Sequence, residues 1–189
     1  MSKIWDFSGC AMPADSSPRK LPPGAYICKI IKAEVEDTER GPKLKLFIDI
    51  ADGDFTDFFR NIYDKRHTWP FNAIFSRYIV KDGVFSKSYI DLIKHIEDAN
   101  PLTNIDFSKL VPDILNGLIC GFIFGEEEFK DQMNFTRTAC KVKFSAPVKK
   151  VKEGKCKTPP LKKLDDDQPA TQKIFNFGGE DIPDDDLPF

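Results

Sequence analysis

Residues 43–50 alternate without a break between aliphatic residues and charged or aromatic ones. A period of two residues places successive side chains on opposite faces of a β-strand. The segment therefore predicts a strand with one face turned to a core, and it favours a fold built on a β-sheet. The inward face consists of Leu44, Leu46, Ile48 and Ile50, and the outward face consists of Lys43, Lys45, Phe47 and Asp49.

Four other segments predict strands. Residues 25–35 alternate apart from a slip at Ile31, which is typical of a β-bulge and bends a strand as a small barrel requires. Asp52-Gly53 predicts a hairpin turn into a third strand, from Phe55 to about Tyr63. The last two segments, one continuously apolar and one alternating, are residues 118–124 and 135–145.

Between the third and fourth predicted strands the hydrophobic period changes to that of an α-helix. Thr68 is placed to cap a helix whose apolar stripe runs over residues 71–79 and stops before Asp82-Gly83. A second helix fits residues 86–98 and stops at Asn100-Pro101. Three strands, a helical insertion and two strands follow the order of the OB fold, which binds nucleic acids or sugars. The expected fold is therefore mainly β, an OB-fold five-stranded barrel with a helical insertion between strands 3 and 4.

The formal net charge of −2 averages two opposed segments of the chain. Residues 1–164 hold 27 basic and 22 acidic residues, whereas residues 165–189 hold one lysine and eight acidic residues. Such asymmetry is typical of a chain that meets a polyanion with one part and a different partner with the other. The composition predicts a flexible leader over residues 1–20, a folded domain over residues 21–164, and a disordered acidic tail over residues 165–189 that interacts with proteins.

Other classes of protein are excluded by what the sequence lacks. No apolar run reaches the roughly 18–20 residues of a membrane-spanning helix, and no signal peptide opens the chain, so a cytoplasmic location is expected. The five cysteines are odd in number and never spaced C-x-x-C, which favours reduced thiols over a disulfide framework or zinc site. The common phosphate-loop, dinucleotide, zinc-protease and serine-hydrolase motifs do not occur. We therefore expect no cofactor, no metal and no enzymatic activity.

Two features offer catalytic alternatives. The acidic triplet Glu126–Glu128 suggests metal-dependent nuclease chemistry, but alternate residues of a strand point to opposite faces, so only the first and third carboxylates could converge. A surface turn is the favoured interpretation of the triplet. His67 lies beside Arg66 and Trp69 and is favoured as a DNA-contacting or structural residue over a general base.

Aromatic residues interleaved with cations are the positive functional signal. Sequence-tolerant binding of a single strand needs flat rings on which bases stack and cations that meet the phosphates. We predict a DNA-binding site made of Lys43, Lys45, Phe47, Arg60, Tyr63, Lys65, Arg66, Trp69, Phe135, Arg137, Lys141 and Lys143. The alternative is that Phe47 and Phe135 pack beneath loops or helices and that Trp69 fastens its helix to the barrel.

The sharpest signal is the final run Asp184, Asp185, Asp186, Leu187, Pro188 and Phe189. It closely resembles the C-terminal tip of bacterial and phage single-stranded DNA-binding proteins. Such a tip acts as a portable ligand, because its phenylalanine fills an apolar pocket while its carboxylates meet basic groups of the partner. The resemblance implies recruitment of replication, recombination or repair proteins, such as a polymerase, helicase, primase or exonuclease.

The body of the chain also resembles phage-type members of this class, over the segments Leu21–Ile30, Glu97–Asn100, Gly121–Phe129 and Val151–Pro159. The resemblance implies an OB fold, roles in replication and recombination, and cooperative or multimeric coverage of single-stranded DNA, with a homo-oligomer as one form. The chain departs from the classical bacterial type in its large helical insertion and short linker. We therefore do not extend the homotetramer of the classical bacterial type to this chain.

We expect a non-enzymatic, virally encoded protein that binds and protects single-stranded DNA. Two alternatives remain. One is a DNA-processing enzyme, such as a recombination nuclease, that carries the same kind of tip. The other is a structural adaptor that binds proteins at both ends and ignores DNA.

Overall fold

A computed structural model describes residues 20–131 and 133–164. The predicted leader, apart from Lys20, and the predicted acidic tail with its tip lie outside the described residues. Two 3-10 turns, at Phe71–Ala73 and Pro112–Leu115, accompany the regular elements. The strands and helices of the described part are β1 (Gly24–Thr38), β2 (Gly41–Ile50), α1 (Phe58–Arg66), β3 (Ile74–Tyr78), β4 (Val80–Lys81), β5 (Val84–Phe85), α2 (Lys87–Ala99), β6 (Ile119–Lys130), β7 (Thr136–Ala146) and α3 (Val148–Lys152).

The architecture is mainly β. A five-stranded antiparallel sheet has the order β3-β2-β1-β6-β7, and β4 pairs with β5 in a separate two-stranded sheet. The long first strand pairs with β2 along most of its length and with β6 near its start, and a register shift between Ile30 and Lys32 accommodates both. The predicted bulge at Ile31 is thereby confirmed. The insertion between the third and fourth strands of the main sheet is also confirmed, because β4, β5 and α2 lie between β3 and β6.

The prediction of a closed barrel is wrong. In the part of the chain that the structure describes, no backbone ladder joins the two outer strands, β3 and β7. Side chains bridge these edges instead: Asn72 Nδ2 donates to the carbonyl oxygen of Cys140 at 3.0 Å, and the Arg77 guanidinium donates to the carbonyl oxygen of Lys143. β3 has only five residues and follows directly on a 3-10 turn, so it offers few backbone groups for pairing with β7.

Two element predictions between residues 55 and 79 are also wrong, because the strand and the helix exchange places. Residues 58–66 form α1, since the buried Asp49 carboxylate accepts hydrogen bonds from the backbone N–H groups of Phe59 and Arg60 at 2.9 and 3.0 Å. Residues 74–78 form β3, since their backbone pairs with β2 in a register that sets Phe75 opposite Leu46. Tertiary partners therefore override the local hydrophobic period in both segments.

The second helix and the last two strands are confirmed. The Ser86 hydroxyl caps α2 by accepting from the N–H of Tyr89 at 3.2 Å, and Asn100 follows the last helical residue. The helix buries Tyr89, Leu92, Ile93 and Ile96, as its pattern predicts. These side chains join a core with the inward residues of the sheet. No helix in the described ranges is long and apolar enough to cross a membrane.

Candidate nucleic-acid interface

The outward face of β2 is less exposed than its alternation predicts. Lys43 is 2% exposed, and its Nζ lies 5.2 Å from the ring centroid of Tyr78, its partner in β3. Asp49 is 3% exposed because α1 covers its end of the strand. The prediction that these two residues face solvent is wrong. Residues on neighbouring elements, which strand alternation does not consider, cover them.

Lys45 and Phe47 are the partly exposed members of this face, and the register of β1 sets charged residues beside them. Lys45 Nζ pairs with Glu36 Oε2 at 2.6 Å. Lys32 lies opposite Phe47, with its Nζ 5.9 Å from the ring centroid, and also pairs with Glu34. These five residues are named the strand surface. Its two lysines are matched by two glutamates, so it presents little net charge to a phosphate.

Helix α1 is held in place by β2. The Asp49 carboxylate also accepts from the N–H of Ile50 at 2.9 Å, so three backbone donors converge on it. Burial raises the pKa of Asp49, and the three hydrogen bonds oppose part of that rise. A carboxylate beside the first turn also favours the helix electrostatically. The strand thus fixes where α1 points its exposed side chains.

Aromatic rings and cations meet along α1 and the turn that follows it. The Arg60 guanidinium lies 5.8 Å from the Tyr63 ring centroid and pairs with Asp64 at 3.2 Å. The Tyr63 and Trp69 rings are 5.6 Å apart, centroid to centroid, and tilted by 45°. Six residues, Arg60, Tyr63, Lys65, Arg66, Trp69 and Phe71, are named the α1 corner.

The end of α1 leaves two cations exposed. Lys65 and Arg66 stand in its last turn, and neither forms an ion pair with another described residue. His67 ends the helix in the left-handed region, with φ 54°, and its N–H donates to the carbonyl oxygen of Tyr63. The imidazole of His67 is exposed beside these cations. This part of the α1 corner therefore carries exposed positive charge, since the nearby Asp64 carboxylate pairs with Arg60.

Trp69 and Phe71 differ in how far they are covered. Trp69 packs partly against the core, and its indole Nε1 is buried without a hydrogen-bond partner among the described residues. Phe71 is 48% exposed, although the sequence pattern set it in the inward stripe of a helix. Sequence reasoning missed it as a site residue. The adjacent Trp69-Pro70, which breaks a helix, was the signal that could have identified it.

The predicted site residues in β7 and just before it fall into two groups, and the first lies at the hairpin tip. Phe135 is 59% exposed. Asp131 organises the tip, because its Oδ1 accepts from the N–H groups of Met133 and Phe135 and its Oδ2 accepts from Arg137 Nε at 2.9 Å. These contacts and the nearby Arg137 charge hold the pKa of Asp131 below its usual value.

The second group lies in the middle of β7, where both lysines share one carboxylate. Lys143 donates to Glu127, and Lys141 Nζ lies 3.8 Å from the other carboxylate oxygen. Burial raises the pKa of Glu127, but the hydrogen bond from Lys143 and the neighbouring lysine charges outweigh it and lower that pKa overall. Much of the local positive charge is therefore neutralised.

The acidic triplet is part of β6 and not a surface turn, so that interpretation is wrong. Glu127 pairs with the lysines of β7, and Glu128 Oε2 accepts from the N–H of Leu164 at 3.2 Å. Across the described ranges, no group of three or more His, Cys, Asp or Glu side chains converges as metal ligands would.

The structure thus brings the predicted residues together in three places. They are the strand surface, the α1 corner and β7. The Asn72–Cys140 hydrogen bond sets the turn after Phe71 against β7 at the residue before Lys141. No protein-family model matches the chain, and no curated protein sequence matches it.

Proposed function

We propose that this protein binds single-stranded DNA with little sequence preference and does not cut it. The observation that carries the proposal is the α1 corner, where the Tyr63 and Trp69 rings lie 5.6 Å apart and the Arg60 guanidinium lies 5.8 Å from the Tyr63 ring. Lys65 and Arg66 occupy the last turn of the helix, between the two rings in sequence, and Phe71 is exposed two residues beyond Trp69. Rings on which bases stack and cations that meet phosphates are the two requirements for this kind of binding. Each stacked base contributes about 1–3 kcal/mol.

The buried indole N–H of Trp69 supports the same site. A buried donor without a partner costs about 1–3 kcal/mol, so a movement of Trp69 that brings its N–H to an acceptor on a bound ligand would remove that cost. A nucleic acid offers such acceptors in its phosphates and base edges. We therefore expect Trp69 to change its environment when DNA binds.

The sheet supports an assignment to the OB class. Its first strand pairs with both the second and the fourth, and its outer strands approach each other through Asn72 and Arg77. A helix lies between the third and fourth strands. This is the connectivity of an OB fold whose barrel is left open at one seam.

A titration of labelled oligo-dT, followed by fluorescence anisotropy, tests the proposal. The affinity for the single strand is expected to fall steeply with salt, with a log–log slope of about −0.7 for each phosphate bound. A duplex of the same length is expected to bind much more weakly, because its bases are not free to stack. Equal affinity for the two forms would refute the proposal.

The same assay separates the alternatives. A nuclease would shorten the labelled strand when magnesium is added, whereas a binding protein leaves it intact. An adaptor that ignores DNA would give no change in anisotropy at any salt concentration.

Recruitment of other proteins is proposed through the tip, Asp184–Phe189. Its partners would be replication, recombination or repair proteins of a cell or of a phage-infected host, and its setting the cytoplasm. Deletion of residues 180–189 is expected to leave DNA binding intact or slightly tighter and to abolish capture of such partners. Phe189→Ala alone is expected to abolish capture while changing no charged side chain. Loss of DNA binding on truncation would contradict this division of roles.

A further inference from the structure

The segment after β7 is a lysine-rich run that the sheet holds in a fixed position. Residues 148–163 contain seven lysines and one acidic residue, and their sequence has no period that predicts structure. In the structure the run begins with α3, which packs closely on β6. A Cβ atom added at Gly121 would lie 2.7 Å from Val151 Cγ2 and 2.5 Å from the carbonyl oxygen of Ala146. Only glycine allows this approach.

Two further anchors fix the rest of the run. A Cβ atom added at Gly125 would lie 2.6 Å from Pro159 Cγ, so the chain crosses β6 in contact with its backbone. Lys162 then forms a single parallel β-bridge with Glu127 of β6. Its N–H donates to Glu126 at 3.0 Å, and its carbonyl oxygen accepts from Glu128 at 2.9 Å. Five lysines of the anchored run are exposed and are named the lysine strip: Lys149, Lys150, Lys152, Lys155 and Lys157.

The lysine strip is strongly cationic and contains no ring. Its one acidic neighbour in the run, Glu153, pairs with Lys155 at 2.8 Å. Lys150 of the strip lies close enough to His95 of α2 to influence its protonation, and His95 Nδ1 lies 3.1 Å from Ser145 Oγ. Burial lowers the pKa of His95, the charges of Asp91 and Asp98 oppose that shift, and the charges of Lys150 and Lys94 add a smaller lowering.

We propose that the lysine strip binds the phosphate backbone of the same single strand, beyond the segment that stacks on the α1 corner. This inference rests on the proposed function. Without rings the strip offers nothing on which bases stack, so it meets phosphates and its contribution is electrostatic. Because three anchors already fix the backbone of the run, little backbone entropy is lost when a phosphate binds, and the entropic cost is that of ordering the lysine side chains.

Two pairs of substitutions test the inference. Lys149→Gln/Lys152→Gln removes two charges from the strip, and glutamine keeps the helix propensity of lysine. Lys87→Gln/Lys109→Gln removes the same charge from exposed positions of α2 and the loop before β6, and it is the matched control. Each is titrated with oligo-dT of about 6 and about 30 nucleotides, because one OB fold covers roughly 4–16.

The strip pair is expected to bind the long strand with a log–log salt slope reduced by about 1.4, or about 0.7 for each phosphate that is no longer bound. It is expected to bind the short strand as the unchanged protein does. The control pair is expected to keep the full slope on both strands.

The two histidines of the chain give an independent measurement. His67 lies in the segment of the α1 corner and His95 lies beside the strip, so their imidazole proton resonances report on separate surfaces. The short strand is expected to shift the resonance of His67 alone. The long strand is expected to shift both.

Three outcomes would overturn the inference. If the unchanged protein binds neither oligonucleotide, the proposed function fails and the inference fails with it. If it binds both but the strip pair behaves like the control on the long strand, the inference alone is wrong. If the strip pair weakens the short strand equally, the strip belongs to the stacking site and does not extend it.

Discussion

The strand surface and the α1 corner both set aromatic rings beside cations, but they differ in what else faces those cations. On the strand surface, Glu34 and Glu36 of β1 lie within ion-pair distance of Lys32 and Lys45. In the α1 corner, Lys65 and Arg66 have no such partner among the described residues. The comparison teaches that a cation is available to a phosphate only where no carboxylate on the same or a neighbouring strand already pairs with it. We therefore expect the corner to dominate DNA binding.

The largest expected effect is the loss of DNA affinity when aromatic rings are removed, and it is expected to be greater in the α1 corner than on the strand surface. Tyr63→Ala combined with Trp69→Ala is expected to weaken binding of oligo-dT by about 1–3 kcal/mol for each ring removed. Phe47→Ala is expected to cost less, because that ring is half-buried and already faces Lys32. Anisotropy titrations measure the affinities, and thermal melts check that each variant folds. Trp69→Phe, which keeps a ring but loses the N–H, is the control. A larger loss of affinity from Phe47→Ala would reverse the comparison.

The second effect concerns Asp49 of β2, whose carboxylate holds α1 against the strand that carries Lys45 and Phe47. Asp49→Ala removes the acceptor of three backbone N–H groups, two of them in α1, and is expected to destabilise the fold by about 1–3 kcal/mol. The physical reason is that buried donors lose their partner. Urea denaturation measures the change, and Asp52→Ala, in the exposed turn before α1, is the control. Equal midpoints for the two variants would show that β2 does not hold the corner in place.

The third effect separates paired from unpaired cations. Lys65→Gln/Arg66→Gln is expected to reduce the log–log salt slope of oligo-dT binding by about 0.7 for each phosphate that the variant no longer binds. Lys45→Gln is expected to change the slope little, because Glu36 already neutralises that lysine. Titrations over a range of salt concentrations give the slopes. A reduction from Lys45→Gln as large as half of that from the double variant would contradict the interpretation.

The smallest effect is expected when Lys45 of the strand surface loses its paired carboxylate and so becomes an unpaired cation like those of the α1 corner. Glu36→Gln releases Lys45 from an ion pair whose carboxylate is half exposed, and such pairs contribute about 0–1 kcal/mol. Binding of oligo-dT is expected to tighten by no more than that, and only at low salt, where screening is weakest. Glu39→Gln, at the exposed turn before β2, changes the net charge equally and serves as the control. Equal tightening in both variants would mean that net charge, and not the pair, is responsible.

Sequence reasoning predicts most of the sheet and part of the candidate site. The strands at residues 25–35, 43–50, 118–124 and 135–145 are confirmed, since alternation or a continuous apolar run marks each of them. The reasoning fails between residues 55 and 79, where Asp49 and the backbone of β2 supply partners from outside each segment. Of the predicted site residues, Lys43 is buried because Tyr78 of β3 covers it.

The sequence by itself determined which residues can form strands, where α2 begins and ends, and where positive and negative charge accumulate along the chain. These properties depend on side chains a few positions apart, so a local pattern contains them. The tertiary structure alone decided that Asp49 caps α1, that Glu36 faces Lys45 and that Gly121 admits α3 against the sheet. Each of these contacts joins residues far enough apart in sequence, or on separate elements, that strand register and packing create the proximity. No local pattern records it.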